Sequence, residues 1–155
     1  MILFFAILLS KTLADQPNVV IILLDDLGWA DVGWNNHLMK TTPFLDEMAK
    51  NGTILTNSYA THRCSPSRAG LLTGRYPFRY GLGSEAMDYA APTGLDLKEK
   101  LLPQYFKDGG YSTHMIGKWH LGFCKDSYKP SNRGFDTSFG IYSGQIDYFD
   151  HTVTL

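Results

Sequence analysis

Residues Asn18-Val-Val-Ile-Ile-Leu-Leu24 form an unbroken β-branched and aliphatic run, apolar at every position after the first. A strand with one wet face alternates apolar and polar side chains. A run without alternation suits a strand buried on both faces, as in a parallel sheet. Further along, Pro43 to Gly52 reads as a helix capped by Thr42 and stopped by Gly52, with Phe44, Leu45, Met48 and Ala49 on its inner face. Thr53 to Tyr59 reads as a second strand. Ser65 then serves as N-cap, Pro66 as first helical residue and Gly74 as stop for a second helix. Tyr80 to Thr93 is rich in Gly, Ala and Pro and reads as a loop without chemistry. Leu101 to Asp108 predicts a short helix ended by Gly109-Gly110, and Tyr111 to Ile116 a third strand. Cys124 to Arg133 reads as polar loop, and Phe135 to Leu155 carries no clear pattern. This order predicts an α/β fold with a mainly parallel sheet sandwiched by helices.

In such sheets function gathers in the loops beyond the carboxyl ends of the strands. Three groups of chemically capable residues fall there. Asp25-Asp26 ends the first apolar run, where two adjacent carboxylates are costly unless a cation compensates them. Cys64-Ser-Pro-Ser-Arg68 follows the second. It places a nucleophile at the positive end of a helix, with an arginine one turn on whose planar donors suit oxyanions. Lys118 and His120 follow the third. Two residues apart, they point to one side if the backbone is extended. A lysine there holds an anionic oxygen by charge, and a histidine moves a proton near neutral pH. Asp31 and Trp119 read as structural, as do His62 and His114.

Taken together, these segments resemble the sulfatase family. Cys-Ser-Pro-Ser-Arg is similar to its signature, and Thr-His-Arg-Cys-Ser-Pro-Ser-Arg-Ala-Gly-Leu-Leu-Thr-Gly-Arg-Tyr-Pro is closest to the arylsulfatase B-like, N-acetylgalactosamine-4-sulfatase-like branch. Val-Ile-Ile-Leu-Leu-Asp-Asp-Leu-Gly-Trp-Ala-Asp-Val-Gly and Gly-Lys-Trp-His-Leu-Gly resemble two further hallmarks. The resemblance runs from about Pro17 to His151 and covers the N-terminal portion of a sulfatase.

The resemblance implies an alkaline-phosphatase-like sulfatase fold, here incomplete, and hydrolysis of sulfuric esters. It implies that a formylglycine-generating enzyme oxidises Cys64 to formylglycine during synthesis. The hydrated aldehyde, a gem-diol, attacks sulfur with one hydroxyl and expels sulfate through the other. Asp25, Asp26 and the side chain at Cys64 are implied ligands of one calcium ion, while Arg68, Lys118 and His120 join Cys64 as catalytic residues. The family draws an Asp-Asn pair, a second lysine and another histidine from sequence beyond residue 155. The implied substrate is a sulfated small molecule or a sugar of a glycosaminoglycan. The alternative is a truncated, secreted sulfatase-like protein that at most binds anions or partners. Phosphatases of the same superfamily place Ser or Thr where Cys64 stands. Zinc held by His62, Cys64, His120 and Cys124 matches on ligand count alone.

Composition bounds the rest. The chain has 155 residues, 44% of them hydrophobic, which is one ordinary domain with material for a core. A net charge of −1 without long basic runs argues against a nucleic-acid partner. Residues 1–14 read as a signal peptide, with an apolar stretch too short for a membrane span and the mature chain starting at Asp15. Asn51-Gly-Thr53 is a glycosylation sequon. Both features point to the secretory pathway, ending in the lysosome or outside the cell. Two cysteines, Cys64 and Cys124, make no disulfide framework.

Overall fold

The computed structural model describes residues 16–83, 85–89 and 91–153, and the expected signal peptide lies outside them. The chain forms two compact units, Met1–Gly52 and Thr53–Leu155.

In the first unit a 3-10 turn, Trp29–Asp31, precedes helix α1, Pro43–Asn51. Asp31 accepts the Gly28 N–H at 2.7 Å, a local structural role as expected. Pro43 opens α1 because its missing N–H falls where no intrahelical partner exists. Thr42 precedes it but makes no side-chain cap bond. Its Oγ1 instead accepts the Gly33 N–H at 2.9 Å and donates to Asp46 at 3.2 Å, tying the helix start to the preceding turn. The inner face expected of α1 is only partly present. Leu45 and Ala49 are half-buried, but Phe44 and Met48 are exposed.

Neither expected early strand forms. Residues 18–24 and 53–59 carry no strand, and Val19 to Leu24 are 49–81% exposed. A strand is held by its ladder and by burial of its faces. Among the described residues no other strand pairs with either segment.

The second unit holds helices α2, Cys64–Thr73, and α3, Leu102–Asp108, with strands β1, His114–Lys118, and β2, Thr137–Ile141. β1 and β2 pair in parallel, from His114 opposite Thr137 to Lys118 opposite Ile141. β1 begins three residues later than Tyr111 because Asp136 captures Thr113, whose N–H donates to its carboxylate at 2.8 Å. The C-terminal stretch without a clear pattern supplies β2. In mid-ladder Gly117 faces Gly140, and a Cβ on Gly140 would stand 1.9 Å from the Gly117 carbonyl oxygen.

Ala69 of α2, Leu95, Leu101, Trp119 and Leu121 form the buried core, flanked by Leu72, Met115 and Phe135. Each fully buried leucine contributes roughly 2 kcal/mol. Trp119 packs edge-on against Phe135 and donates its indole N–H to the carbonyls of Gly122 and Tyr128, both at 3.0 Å. The polar segment expected as loop carries a buried cation. Arg133 donates to the carbonyls of Leu95, Asp96 and Glu99, closing the turn before α3.

Candidate active site

Helix α2 starts at Cys64 itself, two residues earlier than Ser65 as cap would give. Its N-cap is Arg63, in extended backbone and without a side-chain cap bond. Pro66 therefore occupies the third helical position, still within the first turn, where a missing N–H costs nothing. Gly74 ends the helix as expected, in the left-handed region at φ 66°, with its N–H on the Gly70 carbonyl. The thiol of Cys64 is half-buried on the first turn, at the end where backbone N–H groups favour an anion. Ser67 pins the approach to it, donating to the Thr61 carbonyl at 2.7 Å.

Ser65, free of capping duty, is fully buried, and its Oγ accepts the N–H of Met87 at 3.0 Å. The Met87 carbonyl in turn lies 2.9 Å from His120 Nε2. One residue of the loop between Tyr80 and Thr93 thus ties the nucleophile's helix to His120, a role invisible in sequence because both bonds use main-chain atoms. Arg68, one turn into α2, makes the second tie: its Nη1 donates to the Lys118 carbonyl at 2.6 Å.

Lys118 is the last residue of β1, so this pair of side chains does stand beyond the carboxyl end of a parallel strand. The extended backbone expected to carry both does not continue to His120. His120 sits at φ 57°, outside extended backbone, so the two-residue alternation stops at Lys118. His120 is held in that strained region by its N–H on the Tyr142 carbonyl at 3.1 Å, and it is 7% exposed. Cys64, Arg68, Lys118 and His120 thus belong to one unit, in which hydrogen bonds through the Lys118 carbonyl, Ser65 and Met87 tie α2 to the end of β1 and to His120.

Asp25 and Asp26 lie in the first unit, at an exposed bend and not at a strand end. Asp26 shares with His120 a positive φ, at 59°. Their oxygens are of the type a hard divalent cation takes, but the number falls short. Among the described residues no three His, Cys, Asp or Glu side chains gather into a metal-binding group. Calcium requires about six to eight oxygen ligands. The same observation removes the zinc quartet of His62, Cys64, His120 and Cys124. Both cysteines are free thiols. His114 is structural, its Nδ1 2.7 Å from Thr137 Oγ1. Asn51 ends α1 exposed, its amide donating to Glu47. No helix among the described residues is long and apolar enough to cross a membrane.

The family model described as Sulfatase matches residues 17–154. Mouse arylsulfatase J is 45% identical over 136 residues, 88% of this chain and 23% of that protein. Mouse N-acetylgalactosamine-6-sulfatase is 40% identical over 152 residues, 93% of this chain and 29% of that protein. The chain thus spans about a quarter of the length of these relatives. Among solved structures, Ps i-CgsB superposes with a TM-score of 0.73 at 36% identity, covering 81% of this chain and 28% of that one. It has also been solved in complex with k-i-k-neocarrahexaose. The PsFucS1 sulfatase from Pseudoalteromonas sp. gives 0.65 at 35% identity, covering 79% and 25%. The α/β architecture with its parallel strands is therefore part of the alkaline-phosphatase-like fold. With the family model matching nearly the whole described sequence and relatives at 40–45% identity, this chain belongs to the sulfatase family.

Proposed function

We propose that the chain carries the nucleophile side of a sulfuric ester hydrolase acting on sulfated sugars. The observation that supports this best is the joining of α2 to the end of β1. Arg68 reaches the Lys118 carbonyl, and Met87 links Ser65 to His120. Around a sulfate ester, Arg68 and Lys118 offset charge on the non-bridging oxygens, and His120 moves a proton. Cys64, oxidised by a formylglycine-generating enzyme, supplies the nucleophilic oxygen. Asp25 and Asp26, adjacent carboxylates on one bend, would offer oxygen ligands to one calcium ion. Bound calcium would supply Lewis-acid stabilisation. The described donors do not complete its shell, so the chain's own residues are assigned no step through it.

A sugar substrate is supported by the N-acetylgalactosamine-6-sulfatase relative and by the oligosaccharide complex of Ps i-CgsB. Residues 1–14 direct the chain into the secretory pathway, for the lysosome or the outside, and Asn51 carries a glycan. Residues 15–155 form the N-terminal part of a catalytic domain. One other reading rests on the N-terminus of α2 with Arg68 one turn on: a secreted protein that binds anions without turnover.

Secretion from a cell that makes the oxidising enzyme, followed by peptide mass spectrometry at residue 64 and a sulfate-release assay with calcium, tests these readings. An aldehyde with sulfate release upholds the hydrolase. An aldehyde without release upholds the anion binder, and an intact thiol overturns the nucleophile assignment.

A further inference from the structure

Two groups lie close against the imidazole of His120 and leave it little freedom. The first is the carbonyl of Met87, 2.9 Å from Nε2. A carbonyl oxygen only accepts, so Nε2 must carry the hydrogen, and in the neutral ring the lone pair is then on Nδ1. Met87 is not free to drift, because its own N–H is held at 3.0 Å by the fully buried Ser65 hydroxyl. The second group is Gly144. A Cβ there would fall 2.6 Å from Cε1, 3.0 Å from Nε2 and 3.2 Å from Nδ1 of His120. Such an atom forces the ring to shift, and any shift of Cε1 carries with it the adjoining Nε2 that holds the bond to Met87. Gly144 itself has no left-handed backbone to protect, so its smallness is needed for the ring and not for a turn. The main chain of His120 completes the enclosure, with its N–H on the Tyr142 carbonyl.

We propose that Gly144 and the Met87 carbonyl are positioning groups that lock His120 in the Nε2–H tautomer and make Nδ1 its proton-transfer atom. The tautomer follows from geometry within the second unit, while its use in catalysis rests on the hydrolase reading. In that use Nδ1 takes the proton of a hydroxyl, whose bonding pair stays on oxygen, and the ring becomes imidazolium until it returns the proton.

The test is ring-nitrogen NMR of the full chain with 15N-labelled histidine. With five histidines in the sequence, the His120 signals are identified by their loss in His120→Gln. The expected result is a protonated Nε2 and a bare Nδ1 in the wild-type chain at neutral pH. A protonated Nδ1, or signals averaged between tautomers, overturns the proposal without any engineered variant. Gly144→Ala is expected to mix the tautomers and, where sulfate release is measurable, to lower kcat about tenfold to a hundredfold with KM nearly unchanged. Unchanged His120 signals in a folded Gly144→Ala variant remove Gly144 from the assignment. A locked Nε2–H ring in a chain that releases no sulfate upholds the geometry and rejects the hydrolase reading instead.

Discussion

Asp136 accepts a hydrogen bond from Lys107 at 2.6 Å and a second from the Thr113 N–H at 2.8 Å. The lysine first, and then the backbone N–H, pull its carboxyl down from the ordinary 3.8 to about 2. A carboxylate with a depressed folded pKa stabilises fully above its unfolded value and loses that contribution as pH falls through the folded one. Asp136→Asn is therefore expected to be less stable than wild type near neutral pH, with the gap closing between pH 3.8 and about 2. Thermal melts across that window check the convergence, and a gap independent of pH refutes the assignment. Arg68 argues differently, because its value is planar geometry and not charge alone. Arg68→Lys keeps the cation but loses the 2.6 Å bond to the Lys118 carbonyl. The expected cost is about 1.5 kcal/mol in urea unfolding, as for a hydrogen bond from a charged group. Sulfate release is expected to fall at least about tenfold.

At the scale of elements, the facing glycines of the parallel pair carry the sharpest constraint. Gly140 has φ 148° and no room for a methyl against the Gly117 carbonyl. Gly140→Ala must part the strands at the rung next to Lys118, and a loss of about 2 to 4 kcal/mol in denaturant unfolding is expected. A loss below about 0.5 kcal/mol would mean that the ladder adjusts freely there. The same elements show what sequence could disclose. Helices α1 and α3 and the stop at Gly74 were legible because Pro and Gly act through local φ and missing donors. Cys64, Arg68, Lys118 and His120 stood out in the sequence by their chemistry and their resemblance to sulfatase motifs, and the structure places them in the second unit. The strands at 18–24 and 53–59 were misread because apolar runs announce burial, and burial depends on partners that local pattern does not contain. Met87 was missed because its two bonds come from main-chain atoms, which every residue type has. Asp136 shifted the start of β1 through a contact 23 residues away in sequence.

Many large apolar side chains among the described residues are exposed, and where they adjoin they form patches. Ile116 and Phe139 are opposite each other across the β1–β2 ladder and are 86% and 81% exposed. Cross-strand neighbours project to the same face, so the two side chains make one continuous patch and not two scattered residues. Singly exposed hydrophobics are ordinary, whereas an apolar pair on a two-stranded sheet gains by covering itself. Dye binding and self-association are the physical consequences. The chain is expected to enhance anilinonaphthalene sulfonate fluorescence and to sediment with a concentration-dependent mass. Both effects should diminish in the double variant Ile116→Thr, Phe139→Thr, whose β-branched polar residues keep strand propensity while removing the apolar patch. Analytical ultracentrifugation of the two proteins decides the matter. Equal association in both would place the sticky surface elsewhere, with Val19 to Leu24, each about half exposed or more, as the next segment to substitute.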